Sequence, residues 1–143
     1  MAVVQKSILI EHTATEMFEL VDKVEDYPKF LPWCGGTELL ERTAQRTAAT
    51  IHIHYHGIRT SFSTVNEKEI PHSMTIRLRD GPFRSMDGGW RFTALGEAAC
   101  KVEFQLHYEF SSRMLEKALG AVFSRIITTF VESFVKRAGE IYG

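Results

Sequence analysis

Several groups of side chains in this 143-residue chain have types and spacing that could do chemistry. The run His52-Ile53-His54-Tyr55-His56 places histidines two apart. On a strand such residues share a face, about 6–7 Å apart, close enough for two to chelate zinc if a third ligand came from elsewhere. The opposite face carries Ile51, Ile53 and Tyr55, the better core set. The histidines are therefore expected on the wet side, as a pH-sensitive face with no metal. Cys34 follows Trp33 with no histidine beside it in sequence, and a thiol nucleophile needs an adjacent base. Cys34 is expected to pack. The carboxylates show no pairing that suggests acid–base work, and Asp80 is expected to cap a turn. No enzymatic signature emerges.

A second set is basic. Arg77, Arg79, Arg84 and Arg91 flank the turn Asp80-Gly81-Pro82-Phe83. Arg77 and Arg79 alternate with Ile76 and Leu78, and Arg91 lies between Trp90 and Phe92. If the apolar residues point inward, the arginines form an outer ribbon. A guanidinium fork suits phosphate oxygens, so the ribbon could meet the phosphates of RNA or of lipid head groups.

The third set is apolar. Tyr27 to Cys34 reads YPKFLPWC, too apolar for an ordinary surface loop and too proline-rich for a helix interior. It is expected to be a stiff, irregular connector that rims an apolar cavity. The candidate ligand contacts are Tyr27, Phe30, Leu31 and Trp33 from this connector, with Thr60, Phe62 and Thr64 downstream. Phe83, Trp90, Phe92, Phe104 and Tyr108 complete the set. An apolar wall with a few hydroxyls suits a lipid-like molecule with a polar head. At about 0.8 kcal/mol per buried CH₂, one five-carbon isoprene unit supplies roughly 3–4 kcal/mol before the costs of binding.

These residues need elements to hold them. Val3 to Glu11 reads as a strand. Thr13 or Thr15 offers an N-cap for a short helix through Met17, Phe18, Leu20 and Val21. From Gly35 to Ser111 the pattern has period two, as in a meander with one apolar and one wet face. After Ser112 the period is helical for about thirty residues, with apolar positions stepping by four. A four-residue step drifts the stripe by about 40° per turn. That predicts a helix that curves or bends near Gly120, its early and late turns meeting different surroundings. A one-faced sheet needs a cover, and this helix is the element large enough to supply it.

The totals agree with one ordinary globular domain. Apolar residues make up 44% of the chain, charged residues 24%, and the net charge is −1. Such a balance argues against bulk attraction to DNA or to an anionic membrane. Cys34 and Cys100 form no disulfide framework. The first residues lack the apolar core of a secretory signal, so a cytoplasmic location is expected.

With these residues in view, the chain resembles the START-like, helix-grip domains of the bacterial ribosome-association toxin and mitochondrial coenzyme Q-binding family. The likeness rests on EDYPKFLPWC at Glu25–Cys34, DGPF at Asp80–Phe83, GGWRF at Gly88–Phe92, and the aromatic strand and helix that follow. Its length and layout are nearest the bacterial branch. The resemblance implies a single α+β helix-grip domain of about six to seven antiparallel strands curved around a long C-terminal helix. It also implies a non-enzymatic binding protein with no required cofactor. One association is with ubiquinone or another polyprenyl lipid in support of respiration, with transient membrane contact. The other is with the large ribosomal subunit, blocking its joining to the small one and inhibiting translation.

Overall fold

The computed structural model describes residues 2–143. Its elements follow in chain order: β1 (Ala2–Ile10), α1 (Ala14–Asp22), a 3-10 turn (Val24–Asp26), α2 (Tyr27–Phe30), β2 (Cys34–Arg42) and β3 (Arg46–Tyr55). Then come β4 (Ile58–Glu69), β5 (Ser73–Asp80), β6 (Phe83–Ala94), β7 (Cys100–Phe110) and α3 (Arg113–Tyr142). Seven antiparallel strands form one sheet in the order β1-β7-β6-β5-β4-β3-β2. The first strand pairs with the last, so β1 and β2 occupy opposite edges. The chain must cross from one edge to the other, and α1, the 3-10 turn and α2 make that crossing.

Local chemistry fixes the boundaries. Thr13 caps α1 in a reciprocal box: its hydroxyl accepts from Glu16 N, and the Glu16 carboxylate accepts from Thr13 N. The β3–β4 hairpin turns through His56 and Gly57, both at positive φ, as a two-residue turn requires. At Gly88 an added Cβ would lie 2.1 Å from the Gln105 carbonyl oxygen, so only glycine lets β6 approach β7 so closely. Asp80 Oδ1 accepts from Gly81 N, holding its turn as expected.

Alternation sets the layers. Along β7, Val102, Phe104, Leu106, Tyr108 and Phe110 are buried while Gln105 between them is exposed. On α3, Phe123, Ile126, Ile127, Val131, Phe134 and Ala138 are buried. The first ten residues of α3 contain no fully buried side chain; Leu115, Leu119 and Val122 are half-covered. The early and late turns therefore do meet different surroundings, although the helix runs unbroken past Gly120. α3 is long and apolar enough to cross a membrane by length and composition alone, but here its apolar side covers the sheet.

One local expectation needs correction. Tyr27–Phe30 is a helical turn rather than irregular connector. Pro28 sits in the first turn, where its missing N–H costs no hydrogen bond and its fixed φ already suits the helix. Only Leu31 to Trp33 is irregular.

Candidate functional site

Two apolar voids lie between sheet and α3, and they differ in kind. The larger is about 50 Å³. Val24, Tyr27 and Trp33 close it from the crossing segment; Ile126, Ile127 and Phe130 close it from α3. The sheet supplies its floor, with Ala49, Ile51, Phe62, Trp90 and Phe104 among the apolar wall residues. The polar ones are Thr64 and Asn66, neighbours on the inner face of β4. At roughly 10–15 Å³ per water, this space holds about four waters. The second void, about 10 Å³, lies between the β3–β4 hairpin and the start of α3. Phe83 stacks on Phe110 at 4.9 Å, and Tyr108 meets Phe123 edge-on at 4.8 Å. These rings fill that end.

Of the side chains expected to line one cavity, Tyr27, Trp33, Phe62, Thr64, Trp90 and Phe104 do share the larger void. The rest lie elsewhere, which corrects the single-cavity expectation. Phe83 and Thr60 border the small void, and Tyr108 belongs to its aromatic plug. Phe92 packs on Phe18, on the α1 side of the core. Leu31 is fully buried. Phe30 packs on Phe134 beneath the Arg137 guanidinium. Alternation assigns a face but not a depth along the strand, so residues at both ends of one face had looked equivalent.

Two buried polar atoms on wall residues, Trp33 Nε1 and Asn66 Oδ1, have no hydrogen-bond partner among the described residues. Asn66 Nδ2 donates to the Met74 sulfur at 3.5 Å. Sulfur accepts weakly and cannot donate, which turns the amide nitrogen, not its oxygen, toward Met74.

Behind Asn66, the inner face of β4 ends at Lys68, whose side chain is only 2% exposed. Its ammonium meets Asp22 Oδ2 at 3.1 Å, while Asp22 Oδ1 accepts from the Thr47 hydroxyl at 2.7 Å. Nearby, Arg42 donates to both Glu25 oxygens at 2.7 and 2.8 Å and to the Asp22 carbonyl at 2.8 Å. Those hydrogen bonds from Arg42 hold the Glu25 carboxyl down at about 2, against a partial opposing effect of burial. Tyr27 OH donates to the Val21 carbonyl, and burial, with Asp22 nearby, pushes its phenol well above the usual range. Sequence reasoning missed this network because its partners lie far apart in the chain. One signal was available: Phe62, Thr64, Asn66 and Lys68 share a face by period two.

The thiols and the outer face show different chemistry. Burial raises the pKa of both Cys34 and Cys100, which disfavours the thiolate. His52 bonds Ser61 Oγ at 2.6 Å and Glu38 at 2.9 Å, on a sheet face where water competes with every member of the chain. The four arginines are exposed, but they do not form a purely basic ribbon, which corrects that expectation. Arg77 pairs with Glu67 and Arg84 with Glu109, and Arg91 stands opposite Glu103 across the ladder. Period two predicted the face; it could not predict the acids that neighbouring strands bring to it. Arg91 and Lys6 border an open groove of about 530 Å³ above Gly88 and Gly89.

Comparison with known proteins matches this architecture. Residues 10–135 fit the family described as polyketide cyclase / dehydrase and lipid transport. The ribosome association toxin RatA of Vibrio cholerae is 42% identical over 140 residues, covering 98% of this chain and 97% of the relative. A mitochondrial coenzyme Q-binding protein, COQ10 homolog B of Xenopus laevis, is 23% identical, covering 96% of this chain and 58% of that one. The crystal structure of the Zhui aromatase/cyclase from a Streptomyces species superposes with a TM-score of 0.85 at 14% identity, over 99% and 96% of the two chains. At that identity the likeness speaks for the fold alone. The chain belongs to the polyketide cyclase / dehydrase and lipid transport family, and within it to the group of ribosome association toxin RatA proteins.

Proposed function

We propose that this protein is a non-enzymatic binding module that associates with the large ribosomal subunit and blocks its joining to the small one. The supporting observation is the 42% identity, over nearly the whole of both chains, to a protein named for ribosome association. On the outer sheet face, Arg79 and Arg91 make no ion pair among the described residues, which suits them to RNA phosphate. Ribosomes sedimented with the purified protein test the reading. Co-migration with the large subunit and a loss of joined ribosomes are expected. Arg79→Glu with Arg91→Glu should weaken both, and absence of co-migration overturns the reading.

A second reading is favoured by the void beneath the crossing segment: the interior takes an apolar ligand with a polar head, such as a polyprenyl quinone. Its proposed contacts are Tyr27, Trp33, Phe62, Thr64, Trp90 and Phe104, with Asn66 added by the geometry. The Xenopus relative is named for coenzyme Q binding. Titration with a one-isoprene ubiquinone, followed by tryptophan fluorescence, tests it; no saturable quenching overturns it. Both readings place the protein in the cytoplasm, the second with transient membrane contact, and neither requires a cofactor.

A further inference from the structure

We infer that residues 23–33 form a lid over the larger void, held shut by the Glu25–Arg42 pair and hinged at the Asp22–Lys68 pair. This rests on the apolar-ligand reading for its purpose, though not for its mechanics. The void of about 50 Å³ is a few waters in size. A quinone ring with even one isoprene unit is several times larger, so it is admitted only if a wall moves.

The walls are not equally movable. The sheet floor is hydrogen-bonded on both sides of each inner strand. α3 is buried along the void through Phe123, Ile126 and Ile127. The segment 23–33 is short and has no strand pairing of its own; it is held by the burial of Val24, Tyr27, Leu31 and Trp33 and by a few polar ties. It presents Val24, Tyr27 and Trp33 to the void, so its displacement would open the space directly.

Its ties fall into two classes. At one end, Asp22 is fixed by Thr47 and by Lys68, whose side chain is 2% exposed. Separating that pair would leave an uncompensated charge inside the protein, so it stays closed. At the other end, the Trp33 carbonyl accepts from His54 N at 2.9 Å, continuous with β2. Between these, Glu25 meets Arg42 at the surface, with side chains 43% and 31% exposed. Water can take over both groups when this pair parts, so little is lost. Lys23, at the joint, has a backbone that is neither helical nor extended (φ −83°, ψ 69°). The arrangement is a strap with a permanent anchor and a releasable latch.

Native-state hydrogen exchange read by mass spectrometry on the full chain tests the latch without any ligand. Arg42→Met and, separately, Glu25→Gln should speed exchange of peptides from 24 to 33 about two- to fivefold, with β6 and β7 unchanged. The swapped pair, Glu25→Arg with Arg42→Glu, should slow it again. Unchanged lid exchange in both single variants overturns the latch. Stopped-flow quenching by one-isoprene ubiquinone then tests the gate, with the same variants expected to accelerate uptake by a similar factor. Faster lid exchange with unaltered uptake overturns the lid as the route. If no variant, and not the wild type, binds the quinone, the apolar-ligand reading falls, and the exchange data alone decide the latch.

Discussion

The two ends of the space between sheet and α3 use the same kinds of residue to opposite effect. At the hairpin end, Phe62, Phe83, Tyr108, Phe110 and Phe123 meet at centroid distances of 4.8–6.1 Å and leave about 10 Å³. At the lid end, Tyr27, Trp33, Trp90, Phe104 and Phe130 leave about five times that space, and Trp33 Nε1 and the neighbouring Asn66 Oδ1 find no partner among the described residues. The plug is made of rings from rigid strands and a helix. The lid end takes two of its rings, Tyr27 and Trp33, from a short segment outside the sheet and α3. Aromatic content alone therefore does not make a pocket; the mechanical freedom of what carries the rings decides it.

Breaking the plug should have the largest effect. Phe123 is 3% exposed and packs against the four other rings of the plug. Phe123→Ala should cost about 3–5 kcal/mol of stability, read as a lower urea midpoint. A loss below about 1 kcal/mol would mean that this end collapses easily and that the contrast between the ends is false. The lid anchor offers a comparable test with a different signature. Lys68→Met strips Asp22 of its buried partner, leaving it only Thr47 and the more distant Arg42, whose Nε lies at 3.7 Å; it should cost up to about 3 kcal/mol, whereas the double change Asp22→Leu with Lys68→Met should recover most of it. Equal losses in the single and double variants would mean that the pair contributes by shape, not charge.

A gentler change separates space from stability. Ala49 is 3% exposed and faces the larger void. Ala49→Val adds two carbons where there is room, and β-branching suits a strand. Stability should shift by less than about 1 kcal/mol, while quinone quenching should weaken. Retained quenching would place the ligand away from this void.

The contrast was only half legible in the sequence. Period two put Phe62, Thr64, Trp90, Phe104, Tyr108 and Phe110 on one face, and that face is the inner one. The same rule, carried four residues further along β4, would have flagged Lys68 as an inward charge in need of a partner. That the partner is Asp22, 46 residues away, depends on how the crossing segment lands, and no local pattern encodes it. The proline-rich segment was legible as a wall element but not as a lid. Mobility depends on how many ties hold it and how wet they are. Arg77 and Arg84 failed for the same reason, since their neutralising acids come from other strands.

The smallest expected effect concerns the latch itself. Glu25 titrates near 2 in the folded protein because Arg42 binds its ionised form; the ordinary value is 4.5. A carboxyl lowered on folding stabilises the protein above its unfolded value, and that contribution is lost as pH falls from about 4.5 through about 2. With the Glu25 side chain 43% exposed, water and salt screen the pair, so its share is at most about 1 kcal/mol. Wild type should therefore exceed Glu25→Gln in urea midpoint by a small margin at pH 7. The margin should shrink below pH 4.5 and also shrink in high salt, whereas the Lys68→Met deficit, from a buried pair, should resist salt. A Glu25 margin that is unchanged by both acid and salt would show that the carboxylate acts by packing. The lid would then have no ionic latch to distinguish it from the plug.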